Sequence, residues 1–387
     1  MTKFDNICDF VHYLCHHENE LYIAGAGYWG SLVGDYLNKH NISWNGFLDK
    51  NKSKNFLCGK QIFLYEDFSA DISPKAEIIV SAPVPSAVNE ATFVLSVFNQ
   101  IVTSVNNLAI KDKSILVING YAILRDMLND IHGTQKMIER IRDFKNKYEN
   151  RRCFVIGTGP SLTIGDLEKL EHEICFASNS IYALYPKTNW RPKYYCTIDG
   201  IMAKMLNNNS QKLAYIIDNC DAMFTGVERY RYYKDVLENV KKLYFFNTVY
   251  EDNEKSHIGF SDDAEIQLYG GGSVTYRLLQ LAVYMGFTKI YLLGVDFSYS
   301  TEISANGSVK KNAVNNHNEV IELEEQAIGY SDIDRFGHDY AAFVDYQLWG
   351  YQAAKKYADA HNIKILNATR GGKLEVFPRV NFDSLFC

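Results

Sequence analysis

Several short stretches of this sequence carry residues whose types and spacing suit phosphate and sugar chemistry. "CFVIGTGPSL" (153–162) runs an apolar strand into Gly157-Thr158-Gly159-Pro160-Ser161. Pro160 presets a turn and removes one amide donor, and Ser161 is a residue type that caps helices. The pattern therefore suits a tight cradle for a flat or phosphorylated ligand, and equally a plain strand-to-helix turn. "FASNSIY" and "YYCTIDG" place Asn179 and Asp199 just beyond two further strands. An amide or carboxylate there can read a base or a ribose, although either residue alone is more often a cap or turn residue. "LYGGGSVTYRLL" sets Gly270, Gly271, Gly272, Ser273 and Thr275 at a helix start, where free N–H groups and the helix dipole attract anions. "YLLGVDFSY" ends a strand at Asp296, and His338 follows in "DRFGHDY". An imidazole that is neutral near pH 7 suits a general base.

A second glycine turn lies near the other end of the chain. In "LYIAGAGYWG", Gly25, Gly27 and Gly30 form G-x-G-x-x-G directly after a strand, and Asp49 ends the next strand. That is the dinucleotide fingerprint in its proper context, in which glycines admit a pyrophosphate and an acid takes a ribose hydroxyl. The unit is short and shows no complete second half, so a structural or sugar-recognising remnant is the competing reading.

The elements that must position these residues follow from periodicity. Strand and helix patterns alternate from 21 to about 118, predicting a small Rossmann-like accessory domain over residues 1–120. Apolar positions at three-to-four spacing over 122–150, broken at Gly133, predict a helical linker over 121–150. From 151 the alternation restarts and runs to the end, which predicts a doubly wound parallel sheet over 151–387 with ligands at the carboxyl ends of its strands. The expected fold class is α/β, with two Rossmann-like units. Residues 298–337 are polar and poorly periodic, and we read them as a lid; Asp332-Ile333-Asp334 within it is read as solvated surface rather than a metal motif.

Composition narrows the function classes. With 387 residues and 47% hydrophobic content there is material for two cores. A net charge of -6 gives no general pull toward nucleic acid or an anionic membrane. The first residues lack a signal-peptide pattern and no run reaches the length of a membrane span, so the expectation is a cytoplasmic protein with at most peripheral membrane contact. Eight cysteines without a CxxC pair are read as reduced core residues.

"VIGTGPSL", "CFASNSIY", "GGGSVTYRLLQLAVYMGFTKIYLLGVDFSY", "GHDY" with the helix after it, and the ending "NATRGGKLEVFPRVNFDSLF" resemble, in order, the core blocks of two families. These are the bacterial sialyltransferases of glycosyltransferase family 42 and the MptE-like domain-of-unknown-function family. The latter includes archaeal hydroxymethylpterin diphosphokinases and the central domain of flagellin nonulosonate transferases. The resemblance covers about 151–386 and implies a catalytic domain of the GT-A-like sialyltransferase type. It implies that Gly157, Thr158, Gly159, Pro160, Ser161 and Asn179, with Asp296, hold the nucleotide of a CMP-activated acidic sugar. Gly271, Gly272, Ser273 and Thr275 would handle its phosphate, and His338 would be the base, with Asp199 a second catalytic residue. Thr158 stands where the sialyltransferases have asparagine, whereas Asp199 matches the MptE-like pattern. Tyr269, Tyr276 and Tyr299 are candidates to assist the leaving group.

The expected function is an inverting transfer of a nonulosonic-type sugar from its CMP carrier to a surface glycan or glycoprotein acceptor, with no cofactor required. Two alternatives stand beside it. One is a 6-hydroxymethylpterin-type diphosphokinase using ATP and magnesium, with Asp199 and Asp296 on the metal. The other is a sugar- or nucleotide-binding protein without catalysis. Donor sugar, acceptor, linkage and homo-oligomerisation are not legible in the chain.

Overall fold

The structure is a computed structural model that describes residues 1–51, 55–69, 72–84, 91–110, 112–119, 122–237, 240–249, 258–298, 301–303, 309–311, 317–327 and 340–386. The chain divides into two compact units, Met1–Gln135 and Lys136–Cys387.

In the first unit, β1 (Thr2–Phe4), β2 (Glu20–Ala24), β3 (Gly46–Asp49), β4 (Phe56–Leu57), β5 (Lys60–Leu64), β6 (Lys75–Val84) and β7 (Asp112–Asn119) form one sheet in the order β1-β7-β6-β2-β3-β5-β4. All neighbours are parallel except the β4–β5 hairpin. Its helices are α1 (Ile7–Cys15), α2 (Tyr28–Lys39), α3 (Ala91–Asn106) and α4 (Ala122–His132). Leu21 to Ala24 and Ile78 to Val80 are fully or almost fully buried, the continuous apolar pattern of strands covered on both faces. Cys8 and Cys15, expected in the core, are exposed on α1.

The expected linker does not form a separate element. Asp130 of α4 pairs with Lys39 of α2 and with His40 just after it, so α4 belongs to the first unit. Gly133, at φ +63°, ends that helix, and α5 (Thr134–Glu139) carries the chain across the division. A 3-10 turn at Arg140–Phe144 then enters the second core through Ile141 and Phe144.

The second unit contains β8 (Arg152–Ile156), β9 (Cys175–Ser178), β10 (Tyr194–Cys196), β11 (Ala222–Gly226), β12 (Leu243–Phe246), β13 (Thr248–Val249), β14 (Leu268–Tyr269), β15 (Lys289–Leu293), β16 (Thr301–Ile303), β17 (Val309–Lys311) and β18 (Lys364–Asn367). Seven of them make an all-parallel sheet in the order β12-β11-β10-β9-β8-β15-β18. The chain moves outward from β8 through β9 to β12 and returns on the other side with β15. The switch in direction therefore falls between β8 and β15, where a doubly wound sheet opens a crevice at its carboxyl edge. Its helices are α6 (Ile164–Lys169), α7 (Gly200–Asn208), α8 (Ser210–Asp218), α9 (Tyr230–Tyr233), α10 (Val274–Tyr284), α11 (Glu319–Ala327) and α12 (Tyr340–Ala360). The stretch expected to be an irregular lid thus contains the β16–β17 hairpin and α11 among its described residues. Cys153, Cys175, Cys196 and Cys220 lie buried; burial pushes the last three up to about 12, which keeps them unreactive thiols.

Candidate functional site at the switch point of the second sheet

The turn after β8 is seated directly on the turn after β15. Gly157 N–H donates to Leu293 O at 2.8 Å and Gly159 N–H to Gly294 O at 2.8 Å. The spacing allows no side chain: a Cβ on Gly157 would stand 2.3 Å from Gly294 O, and one on Gly159 would stand 1.9 Å from Asp296 Oδ2. Both glycines are therefore demanded by close approach rather than by φ. Ser161 does not cap the next helix, as its type suggested. Thr163 caps α6, in a capping box with Asp166, and Ser161 Oγ donates to Asp296 Oδ2 at 2.8 Å.

Asp296 is only 7% exposed. Burial raises its pKa, and hydrogen bonds from the Ser161 hydroxyl and amide offset part of that rise. Its own carbonyl accepts from Lys373 N–H at 2.7 Å, so the glycine turn Gly371-Gly372 packs against the Asp296 turn. A carboxylate held this way can accept hydrogen bonds from a ligand hydroxyl or carry a proton at a pH above its usual range.

One strand over, Asn179 follows β9 with φ +49°, the left-handed conformation that asparagine tolerates. Its carbonyl accepts from the Tyr195 hydroxyl, while its side-chain Oδ1 is buried without a hydrogen-bond partner. Such an orphan at a strand end is what a ligand donor would satisfy. Asp199, beyond β10, is 3% exposed and caps α7, with Oδ1 accepting from Ile201 N–H at 2.7 Å and Met202 N–H at 3.1 Å. Two intervening strands, β9 and β8, separate β10 from β15. Asp199 and Asp296 therefore follow strands three places apart in the sheet.

The glycine-rich segment before α10 serves packing as much as anion binding. Gly271 and Gly272 adopt φ +52° and +64°. A Cβ on Gly272 would meet Tyr346 at 2.7 Å, and one on Gly350 would meet Gly271 O at 2.9 Å, so this segment and α12 touch backbone to backbone. Gln347 Nε2 also donates to Gly272 O at 3.1 Å. Ser273 caps α10 by accepting from Thr275 N–H at 3.1 Å, and the Ser273 and Thr275 hydroxyls lie near the buried Tyr351, offsetting part of the rise that burial gives its pKa. The Tyr351 ring meets Phe297 edge-on at 6.0 Å, which links the segment to the Asp296 turn. Tyr276 is buried and donates to Gly259 O, away from any open surface.

A strap that the sequence did not reveal lies over the first turn. Asn318 N–H donates to Thr158 O at 2.7 Å and Asn318 Nδ2 to Leu162 O at 2.9 Å, while His317 Nδ1 lies 2.8 Å from Thr158 Oγ1. Farther along α11, Glu324 accepts from Tyr182 and pairs with Lys212. His338, Tyr299 and Asp332–Asp334 lie outside the described residues.

In the first unit, Gly25 has φ +93°, and a Cβ on Gly30 would stand 1.9 Å from Gly25 O. Gly27 begins α2 with open space around its Cα. Asp49 lies beside them, but its carboxylate accepts from Ala26 N–H at 2.6 Å and Asn51 N–H at 3.0 Å. The turn's own acid thus occupies an amide that a pyrophosphate would use.

Among the described residues no helix is long and apolar enough to cross a membrane, and no group of three or more His, Cys, Asp or Glu side chains is arranged to hold a metal ion. No curated protein matches the sequence. Among solved structures, the MAf glycosyltransferase from Magnetospirillum magneticum AMB-1 aligns at 12% identity with a TM-score of 0.35, covering 81% of this chain and 54% of that one. This chain therefore spans about half the length of that protein. The family model described as "6-hydroxymethylpterin diphosphokinase MptE-like" matches residues 104–302, which is just over half of the 387 residues and takes in β8 to β15, so the chain belongs to the MptE-like family.

Proposed function

We propose that the chain is a nucleotide-dependent transferase that takes an acidic, nonulosonic-type sugar from a CMP-activated donor to a glycan or glycoprotein acceptor. The observation that carries this reading is the meeting of two turns at the switch point between β8 and β15. There the glycine turn 157–161 meets the raised Asp296 carboxyl, at the place where a doubly wound sheet binds nucleotides, and Asn179, with its orphaned Oδ1, follows the neighbouring strand β9. In the proposed reaction the acceptor oxygen bonds to the anomeric carbon from the face opposite CMP. The bond from that carbon to the phosphate oxygen breaks, CMP leaves with the electron pair, and the acceptor proton passes to a base, so configuration inverts. His338, two residues before α12 in the sequence, is the proposed base. The Ser273 hydroxyl and the α10 N-terminus would stabilise charge on the leaving phosphate.

The family description favours a second reading, a diphosphokinase that uses ATP and magnesium. Asp199 Oδ1 is engaged by the Ile201 and Met202 amides as the cap of α7, which argues against the metal pair expected for it. Thermal shift distinguishes the two. CMP without magnesium at 100 times its dissociation constant is expected to stabilise the protein by roughly 2.7 kcal/mol. Stabilisation by ATP with magnesium, and none by CMP, would establish the second reading instead.

A further inference from the structure

The strap brings a basic side chain onto the nucleotide turn from outside the family-matched span. His317 Nδ1 lies 2.8 Å from Thr158 Oγ1. Its neighbour fixes it there, because Asn318 binds the carbonyls of both Thr158 and Leu162 and so grips the turn at its second residue and again just past Ser161. Asn318 Oδ1 also accepts from Val320 N–H at 3.1 Å, which ties the strap to the first turn of α11. One helical stretch later, Glu325 is 6% exposed, with Oε1 3.8 Å from His317 Nδ1. That places a buried carboxylate close to the imidazole. Of the eleven residues from His317 to Ala327, Ile321 and Glu325 are the buried ones, so polar contacts rather than an apolar face hold the strap down.

A nucleoside phosphate brings negative charge to a sheet edge that already contains the Asp296 carboxyl, and Gly271 and Gly272 are taken up by packing against α12. A cation at the turn would balance that charge. We propose that His317 provides it, its imidazolium acting beside the Thr158 hydroxyl as a contact for the phosphate of the nucleotide bound at residues 157–161. The inference rests on reading this sheet edge as a nucleotide site, and it adds to the Ser273 and α10 contacts a residue that the sequence patterns did not single out.

The test is calorimetric titration of the full chain with CMP, cytidine, ATP with magnesium, and adenosine. It compares the natural protein with His317→Ala, His317→Gln and His317→Lys, each checked by ligand-free melting. The natural protein is expected to bind a nucleotide more tightly than its nucleoside. The Ala and Gln variants should bind the nucleotide about tenfold or more weakly with nucleoside affinity unchanged, and Lys should recover most of the difference. Nucleotide affinity within twofold of the natural protein in the Ala and Gln variants would overturn the inference while leaving the nucleotide site standing. Equal weakening of nucleotide and nucleoside would overturn it by showing that His317 only shapes the turn. If none of the four compounds binds the natural protein, this inference and the nucleotide reading both fall.

Discussion

Asp296 is held in an environment that works against its charge. Its carboxyl is buried, its partners are a serine hydroxyl and amide, and its pKa is raised by desolvation. An acid whose folded pKa lies above its unfolded value holds its proton more tightly when folded. Stability is then favoured at low pH and lost as pH rises from the unfolded value through the folded one, the full penalty applying at neutral pH. Asp296→Asn keeps an oxygen for Ser161 and removes the charge. The variant is expected to melt above the natural protein at pH 7, to lose that advantage below the ordinary carboxylate range, and to bind CMP more weakly. An unchanged melting temperature at pH 7 with full CMP affinity would show that the carboxyl is neither strained nor used. A group that costs stability where it stands is what a functional site retains.

Helix ends and the turns before them set the geometry around that carboxyl. α6, which leaves the nucleotide turn, is anchored through Asp166. Arg370 donates to Asp166 Oδ1 at 2.9 and 3.0 Å and to Asp383 at 2.7 and 2.9 Å, while Lys169 also binds Asp383. The loop after β18, the C-terminal turn and α6 are thereby joined. Arg370→Ala would leave the buried Asp166 with its capping-box contacts alone, at an expected cost of about 2 kcal/mol. Chemical denaturation measures it, and a loss below about 0.5 kcal/mol would mean that solvent replaces the guanidinium freely. These ties have no sequence signature, since Arg370 and Asp166 are 204 positions apart. The sheet, by contrast, was legible. β8, β9, β11 and β15 are mostly apolar runs ended by glycine or a small polar residue, and their alternation with helical patterns points to a parallel sheet. The same logic missed α11, because so few of its side chains are buried that it has no apolar stripe to read. Nor did it show the packing around the glycines before α10, where a Cβ on Gly271 would meet the Tyr276 ring and one on Gly350 of the facing helix would meet Gly271 O. For Asp199 the residue type was right, and the structure gives it the common role of a cap.

Each unit closes its own core. One apolar cluster runs from Tyr22 to Val117 and another from Ile141 to Phe377, with no member shared. A chain of residues 136–387 is therefore expected to fold alone, to melt in one transition and to keep the CMP affinity of the full chain. A molten fragment, or one that binds only in the presence of residues 1–135, would place part of the site in the first unit. The first unit's glycine turn, with Asp49 already on the Ala26 amide, is not needed for the chemistry proposed.

Hydrogen exchange of the full chain with and without CMP bears on the central claim most directly. Slower exchange in peptides spanning 157–163 and 294–298, with residues 24–31 unchanged, is the predicted result. Protection confined to residues 24–31, or spread over neither turn of the second sheet while CMP is bound, would contradict the placement of the nucleotide between β8 and β15.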